Sequence, residues 1–268
     1  MTDPVPLPCV LVVAGSDSSA GAGLQADLKT CSALGVYAAT AVTAITAQNS
    51  LGVTDVDPVS PLMVRRQMLA VLQDLPVSVI KIGMLGNAAV VQAVIDVLRE
   101  YPDIPVVLDP VCISSSGRLL LDVEGQQRMV ERLFPLVTLL TPNVAESAWL
   151  IGVSEDEVDA DPEKVVHALV AKAGCAVLLK GGHRAGDVAE DLLWVDGCLL
   201  RYSAPRLQVR NNHGTGCSLA AAIAANLAKG IALSGAVAEA KDYLGRILAS
   251  ADKFRLGQGR GSLNHFEW

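Results

Sequence analysis

Short, β-branched apolar runs recur along this chain with helical patterns between them, and that alternation restricts the fold more than any other feature. Cys9–Ala14, Val36–Ile45, Val77–Ile82, Val106–Leu108, Leu136–Leu140 and Cys175–Leu179 have the length and apolar continuity of strands buried on both faces. Leu62–Leu75 and Asn87–Arg99 carry helical periodicity, the second with Asn87 as a cap and Val90, Val91, Val94, Ile95 and Leu98 on one side. Asp161-Pro162-Glu163 supplies a cap, an N1 proline and a first-turn acid for another helix, which Gly174 ends. Consecutive strand–helix–strand units predict a parallel sheet with helices on both faces. From Val188 the rhythm changes. Val188–Trp194, the turn Asp196-Gly197 and Cys198–Tyr202 predict a β-hairpin on the sheet edge, and alanine-rich helices over about Thr215–Ala228 and Gly235–Ala251 close the chain. The absence of repeats and linkers predicts one domain over residues 1–268, of about nine strands and eight helices.

Composition removes several function classes. An apolar content of 51% with 18% charge excludes disorder. A net charge of −7 and a pI near 5.1 argue against a nucleic-acid binder, whose affinity for a polyanion comes from clustered Lys and Arg. The cysteines at 9, 31, 112, 175, 198 and 217 form no C-x-x-C pair and make no ligand-spaced cluster with the four histidines, so neither zinc nor a disulfide framework is expected. Met1–Pro8 holds an acid and three prolines instead of a signal peptide's basic and apolar regions, which predicts a cytoplasmic protein with reduced thiols. Thr30–Thr54 lacks charge over a membrane-spanning length, but its threonines, serines, Gln48, Asn49, Gly35 and Gly52 mark a buried strand with flanking loops, not a membrane helix.

In doubly wound sheets ligands bind beyond the carboxyl ends of the strands, and here those positions are polar and rich in glycine. The first, Ala14-Gly-Ser-Asp-Ser-Ser-Ala-Gly-Ala-Gly-Leu-Gln-Ala-Asp27, opens a helix. Its Gly21-x-Gly23-x-x-Ala26 passes for a dinucleotide fingerprint, but no acid follows between Lys29 and Asp55 to bind a ribose, and the G-x-x-x-x-G-K-[ST] phosphate loop is absent. A tight strand-to-helix turn accounts for Gly21 and Gly23 but not for Asp17 and Asp27. Asn212-His-Gly-Thr-Gly-Cys-Ser218 also opens a helix, whose glycines and N–H groups suit a phosphoryl group. Cys217 falls in its first turn, where the helix dipole is expected to lower a thiol pKa from its ordinary value; a small buried hydrophobe is the plainer role for an isolated cysteine, but the glycines and the helix start favour the functional one here. Asp109 ends Val106–Leu108. Asn143 and Glu146 follow Leu140 and also fit a capping box. Lys180-Gly-Gly-His183 places a cation after a strand, and the amide of Gln48 can pair with the edge of a heterocycle. Acids, one cation, an anion-binding helix start and an amide together point to phosphoryl transfer from a nucleotide.

Gly15–Thr30, Thr46–Asn49, Lys81–Leu85, Val107–Val111, Thr141–Glu146, Lys180–His183 and His213–Ser218, in that order, resemble the hydroxymethylpyrimidine/phosphomethylpyrimidine kinases of thiamine biosynthesis, over about Cys9 to Leu248. The resemblance implies a ribokinase-like three-layer α/β/α sandwich, ATP as co-substrate, Mg²⁺ and a homodimer. It implies that Gln48 and Asp27 hold the aminopyrimidine, with Gly15, Met84 and Val111 lining its pocket. Asp109 and Glu146 would act on Mg²⁺ through water. Lys180, Asn143 and Thr215 would bind ATP, and Gly214, Thr215 and Gly216 would form the anion hole. Cys217 stands where most sugar kinases of the superfamily place an aspartate base. The implied reaction is two successive transfers from ATP, to the hydroxymethyl group and then to the monophosphate, and the second acceptor needs no deprotonation. Ser19-Ala20 replaces a usual glycine pair and Cys112–Gly117 a usual Met-Val-Ala-x-Ser-Gly stretch, so substrate breadth is the property most open to change. A pyridoxal or pyridoxine kinase is the alternative activity, and a catalytically silent metabolite sensor a further one. The stretch Arg255–His265 reads as a glycine-rich surface tail, and Asn264-His265-Phe266 resembles a closing motif of the same family.

Overall fold

The structure, a computed structural model, describes residues 7–113, 117–182 and 186–267. Residues 1–6 of the N-terminal extension, Ser114–Ser116 of the Cys112–Gly117 stretch and His183 of the Lys-Gly-Gly-His motif lie outside the described residues. The strands are β1 Cys9–Asp17, β2 Tyr37–Asn49, β3 Gly52–Pro58, β4 Val77–Ile82, β5 Val106–Leu108, β6 Leu139–Leu140, β7 Ala176–Leu179, β8 Val188–Val195 and β9 Cys198–Pro205. They form a single sheet in the order β3-β2-β1-β4-β5-β6-β7-β8-β9. Pairing is parallel from β2 through β7 and antiparallel at both margins, where β3 joins β2 and the β8–β9 hairpin joins β7.

The α-helices are α1 Gly23–Ala33, α2 Pro61–Leu72, α3 Ala88–Glu100, α4 Val123–Arg128, α5 Val144–Ile151, α6 Glu155–Ala160, α7 Pro162–Ala173, α8 Thr215–Ala228 and α9 Leu233–Ala249. The strand period of two divides the apolar side chains between two cores. Leu11 and Val13 of β1 enter one, with Met68 of α2, Val94 of α3 and Val166 of α7. Val10, Val12 and Ala14 enter the other, with Ile223 of α8 and Val237 of α9. The alanines of the buried run Ala220–Ala225 are small enough to lay α8 close against the centre of the sheet. Local signals act as expected. Asn87 Oδ1 accepts from Val90 N at 3.0 Å, Asp161 caps α7, and Gly174 ends it at φ +70°.

Two differences from the sequence reading matter. Gly52–Pro58, expected as loop, is an edge strand whose mostly exposed residues include Asp55 and Asp57, so no apolar pattern announces it. Leu136 does not begin β6, because Phe134-Pro135-Leu136 turns as a 3-10 helix and leaves only Leu139–Leu140 to pair. Among the described residues no helix is long and apolar enough to cross a membrane, and Thr30–Thr54 folds as the end of α1, β2 and the start of β3.

Candidate active site

The carboxyl ends of β5, β6 and β7 are neighbours in the sheet, which brings Asp109, Asn143, Glu146 and Lys180 together. Lys180 Nζ donates to Asp109 Oδ1 at 2.6 Å, with both side chains nearly enclosed. Lys180 N donates to Pro142 O, and Asn143 bridges to Lys180. The capping box at α5 is present: Asn143 Oδ1 accepts from Glu146 N and Glu146 Oε2 accepts from Asn143 N, each at 2.8 Å. Asn143 therefore spends its side chain on α5. Burial pushes the Glu146 carboxyl up to about 7, with Lys180 opposing and Asp109 adding repulsion.

The start of α8 meets this group. Gly214 caps the helix at φ +86° without a side-chain hydrogen bond, and a Cβ on Gly216 would lie 3.3 Å from Lys180 Nζ and 3.6 Å from Asp109 Oδ2. The two glycine loops touch backbone to backbone: a Cβ on Gly214 would overlap the Gly21 carbonyl oxygen, so only glycine fits there. In the first loop the Asp17 carboxylate accepts from the N–H groups of Ser19, Gly21 and Ala22 and from the Ser19 hydroxyl. Against the effect of burial, His213 and these donors hold Asp17 down at about 2. They also hold Ala20, at the position of the usual glycine, in a left-handed conformation at φ +60°.

On the other side, Gln48, the penultimate residue of β2, has its Nε2 3.0 Å from His213 Nε2, which also lies 3.1 Å from Asp17 Oδ2. One imidazole thus joins the Gln48 strand end to both glycine loops. Gly15 and Met84 are in contact, since a Cβ on Gly15 would lie 3.0 Å from Met84 Sδ, and Val111 follows Asp109 half-buried.

Two expectations need correction. Cys217 does not carry a thiol acidified by the helix start. Burial pushes it up to about 11, and Asp27 and Asp109 oppose the opposite pull of Lys81 and of a hydrogen bond from the Gly23 N–H. Asp27 does not line the open site. It is 0% exposed, and its Oδ2 accepts from Lys81 Nζ at 2.7 Å, a lysine that is itself 0% exposed. Burial disfavours the Lys81 ammonium, but Asp27, Cys217 and Asp109 together hold its pKa above the ordinary lysine value. Asp27 Oδ1 has no hydrogen-bond partner, so the pair has unspent capacity beneath Cys217.

Among the described residues no cluster of three or more His, Cys, Asp or Glu side chains could hold a metal alone. Asp109 and Glu146 nevertheless fit Mg²⁺, which binds through one or two carboxylates with water and substrate phosphates completing its shell.

The phosphomethylpyrimidine kinase family profile matches residues 17–264. A hydroxymethylpyrimidine/phosphomethylpyrimidine kinase of Rhizobium meliloti (strain 1021) is 47% identical over 256 residues, 96% of each chain. The pyridoxal kinase of Staphylococcus aureus, solved with AMP-PCP and pyridoxal, superimposes with a TM-score of 0.87 at 30% identity over 98% of this chain and 95% of that one. The phosphomethylpyrimidine kinase of Clostridium difficile 630 does so with 0.73 at 35% identity, over 89% and 98%. These likenesses fix the ribokinase-like fold, and with a profile match that runs from Asp17 in the first glycine loop to Asn264, the chain belongs to the phosphomethylpyrimidine kinase family.

Proposed function

We propose that this kinase transfers the γ-phosphoryl group of ATP to 4-amino-5-hydroxymethyl-2-methylpyrimidine and then to the resulting monophosphate, as a step of thiamine biosynthesis. The observation that carries this reading is the convergence of the Lys180–Asp109 pair on Gly216, one residue before Cys217. Lys180 and the N–H groups of Gly214, Thr215 and Gly216 hold the transferring group and the charge that develops on it. Asp109 and Glu146 hold Mg²⁺, which when bound neutralises charge on the polyphosphate. Cys217 takes the proton from the hydroxymethyl group in the first transfer; in the second the phosphate acceptor is already anionic. Gln48 pairs with the pyrimidine edge, and Gly15, Met84 and Val111 line its pocket. Asp27 acts from behind, through Lys81. A catalytic domain over residues 1–268, a homodimer and a cytoplasmic setting belong to the same reading.

The deciding experiment follows the phosphorus products of a reaction with ATP, Mg²⁺ and the pyrimidine alcohol. Monophosphate should accumulate first and be converted to diphosphate, and failure to form either defeats the reading. The likeness to a pyridoxal-bound kinase supports a second acceptor. Pyridoxal is expected to turn over more slowly, and faster turnover of pyridoxal would exchange the two. Replacing Gln48 with alanine should raise the KM for the pyrimidine by about 3- to 10-fold, the value of one or two neutral hydrogen bonds, and change the KM for ATP less. Steady-state kinetics with each substrate varied in turn checks this, and a larger effect on ATP would remove Gln48 from the pyrimidine pocket.

A further inference from the structure

The C-terminal stretch expected as a surface tail is buried where it matters: Leu263, Asn264 and His265 are all nearly inaccessible. It runs along one side of the site, from the Gln48 strand end to the start of α8. Side chains on Gly257 and Gly259 would overlap Ser50, two residues after Gln48, and Arg260 N donates to Ser50 O at 2.9 Å. Gly261 lies against Asn211, whose Oδ1 accepts from Gly261 N at 3.1 Å. Gly261 O in turn accepts from His213 N at 3.1 Å, and Ser262 bridges to His213. Four residues beyond Gly261, His265 Nε2 lies 2.9 Å from Ser218 Oγ. The segment from His213 to Ser218, which contains the anion-hole glycines and Cys217, is therefore gripped at both ends by one strap.

The far end of the strap is itself anchored. Tyr243 Oη donates to His265 O at 2.9 Å, and Asn264 Nδ2 donates to Ser250 Oγ at 3.0 Å. Burial, with Lys29 nearby, keeps His265 down at about 4, so its ring is neutral at neutral pH. A neutral ring can accept from the Ser218 hydroxyl at Nε2, 2.9 Å away. Ser218 is fully buried in the first turns of α8, with its N–H on Gly214 O. Its side chain therefore fixes how the helix start is rotated about its axis.

We propose that the strap from Gly257 to His265 is a positioning element of the transfer site, and that His265, through Ser218, is the positioning residue that aims the Gly214–Cys217 helix start at the phosphoryl group. The proposal rests on the reading that this helix start receives that group. Misaiming a preorganised site by a fraction of an ångström to about 1 Å costs about 10- to 100-fold in rate.

The test compares full-length His265→Ala, Ser218→Ala, their double variant and His265→Gln, with Cys217→Ala as a control, measuring kcat, both KM values and Tm. Each single variant should lose about 10- to 100-fold in kcat, with the pyrimidine KM moved less than about threefold. The double variant should be no slower than the slower single, because both break one contact. His265→Gln, whose Oε1 can accept from Ser218, should recover most of the rate. A lowered Tm with wild-type kcat, or losses that multiply in the double variant, overturns the proposal. Ser218→Ala removes a single oxygen and carries the test alone if His265→Ala does not fold. Wild-type turnover by Cys217→Ala would instead defeat the site reading and the proposal with it, whereas a slow Cys217→Ala beside unaffected His265→Ala and Ser218→Ala defeats the proposal alone.

Discussion

Cys217→Ala is expected to slow the first phosphoryl transfer by about 10² or more, the scale set by losing an acid–base group, while the transfer to the monophosphate loses far less. The asymmetry follows from the acceptors. An alcohol must shed a proton as its oxygen attacks, and a phosphate oxygen at neutral pH has none to shed. With the thiol pushed up to about 11, the thiolate is scarce near neutrality and grows with pH. The first transfer should therefore accelerate about tenfold per pH unit above neutrality until another group intervenes, and the second should not. Single-turnover measurements with each acceptor check both statements, and equal losses in the two transfers would reduce Cys217 to packing. The same displacement has a sign for stability. Between the ordinary thiol value and about 11, the unfolded chain releases the proton that the folded chain retains, so folding weakens as pH rises through that window.

The second large effect concerns stability. Lys81→Met leaves Asp27 as a fully buried carboxylate without its ammonium, a loss of about 3–5 kcal/mol for breaking one side of such a pair. For a chain of this size that is a fall in Tm on the order of 10 °C. The double variant Lys81→Met/Asp27→Asn removes the stranded charge and should regain much of that stability, because the cost lies in the uncompensated ion more than in the lost attraction. Calorimetry decides it: a double variant as unstable as the single would show that the lysine contributes by packing. Activity should not return with stability, since the pair also sets the charge beneath Cys217.

The site was legible where each functional residue sits next to its own strand. Asp109 follows Val106–Leu108, and Lys180 follows Ala176–Leu179, so an apolar run and the polar residue after it suffice. The sheet and the hairpin were legible for the same local reason. What stayed hidden is partnership over distance. Lys81 reads as an odd charge inside a strand until Asp27, 54 residues earlier, is seen to neutralise it. His213 was visible as a motif letter, but its contacts with Asp17 and Gln48 span 196 and 165 residues. The strap reads as a surface tail because glycine content signals exposure in a loop, whereas here Gly257 and Gly259 lie against Ser50 and Gly261 against Asn211, too close for a Cβ.

The placement of α8 and α9 also governs how the molecule is made. The sheet face bearing Val10, Val12, Val79, Val107, Leu139 and Leu178 is covered largely by helices that begin at Thr215. A ribosome adding about 5–20 residues per second completes every strand before it delivers that cover. Until then that side of the strands has α1 as its early cover and lacks the larger part supplied by α8 and α9.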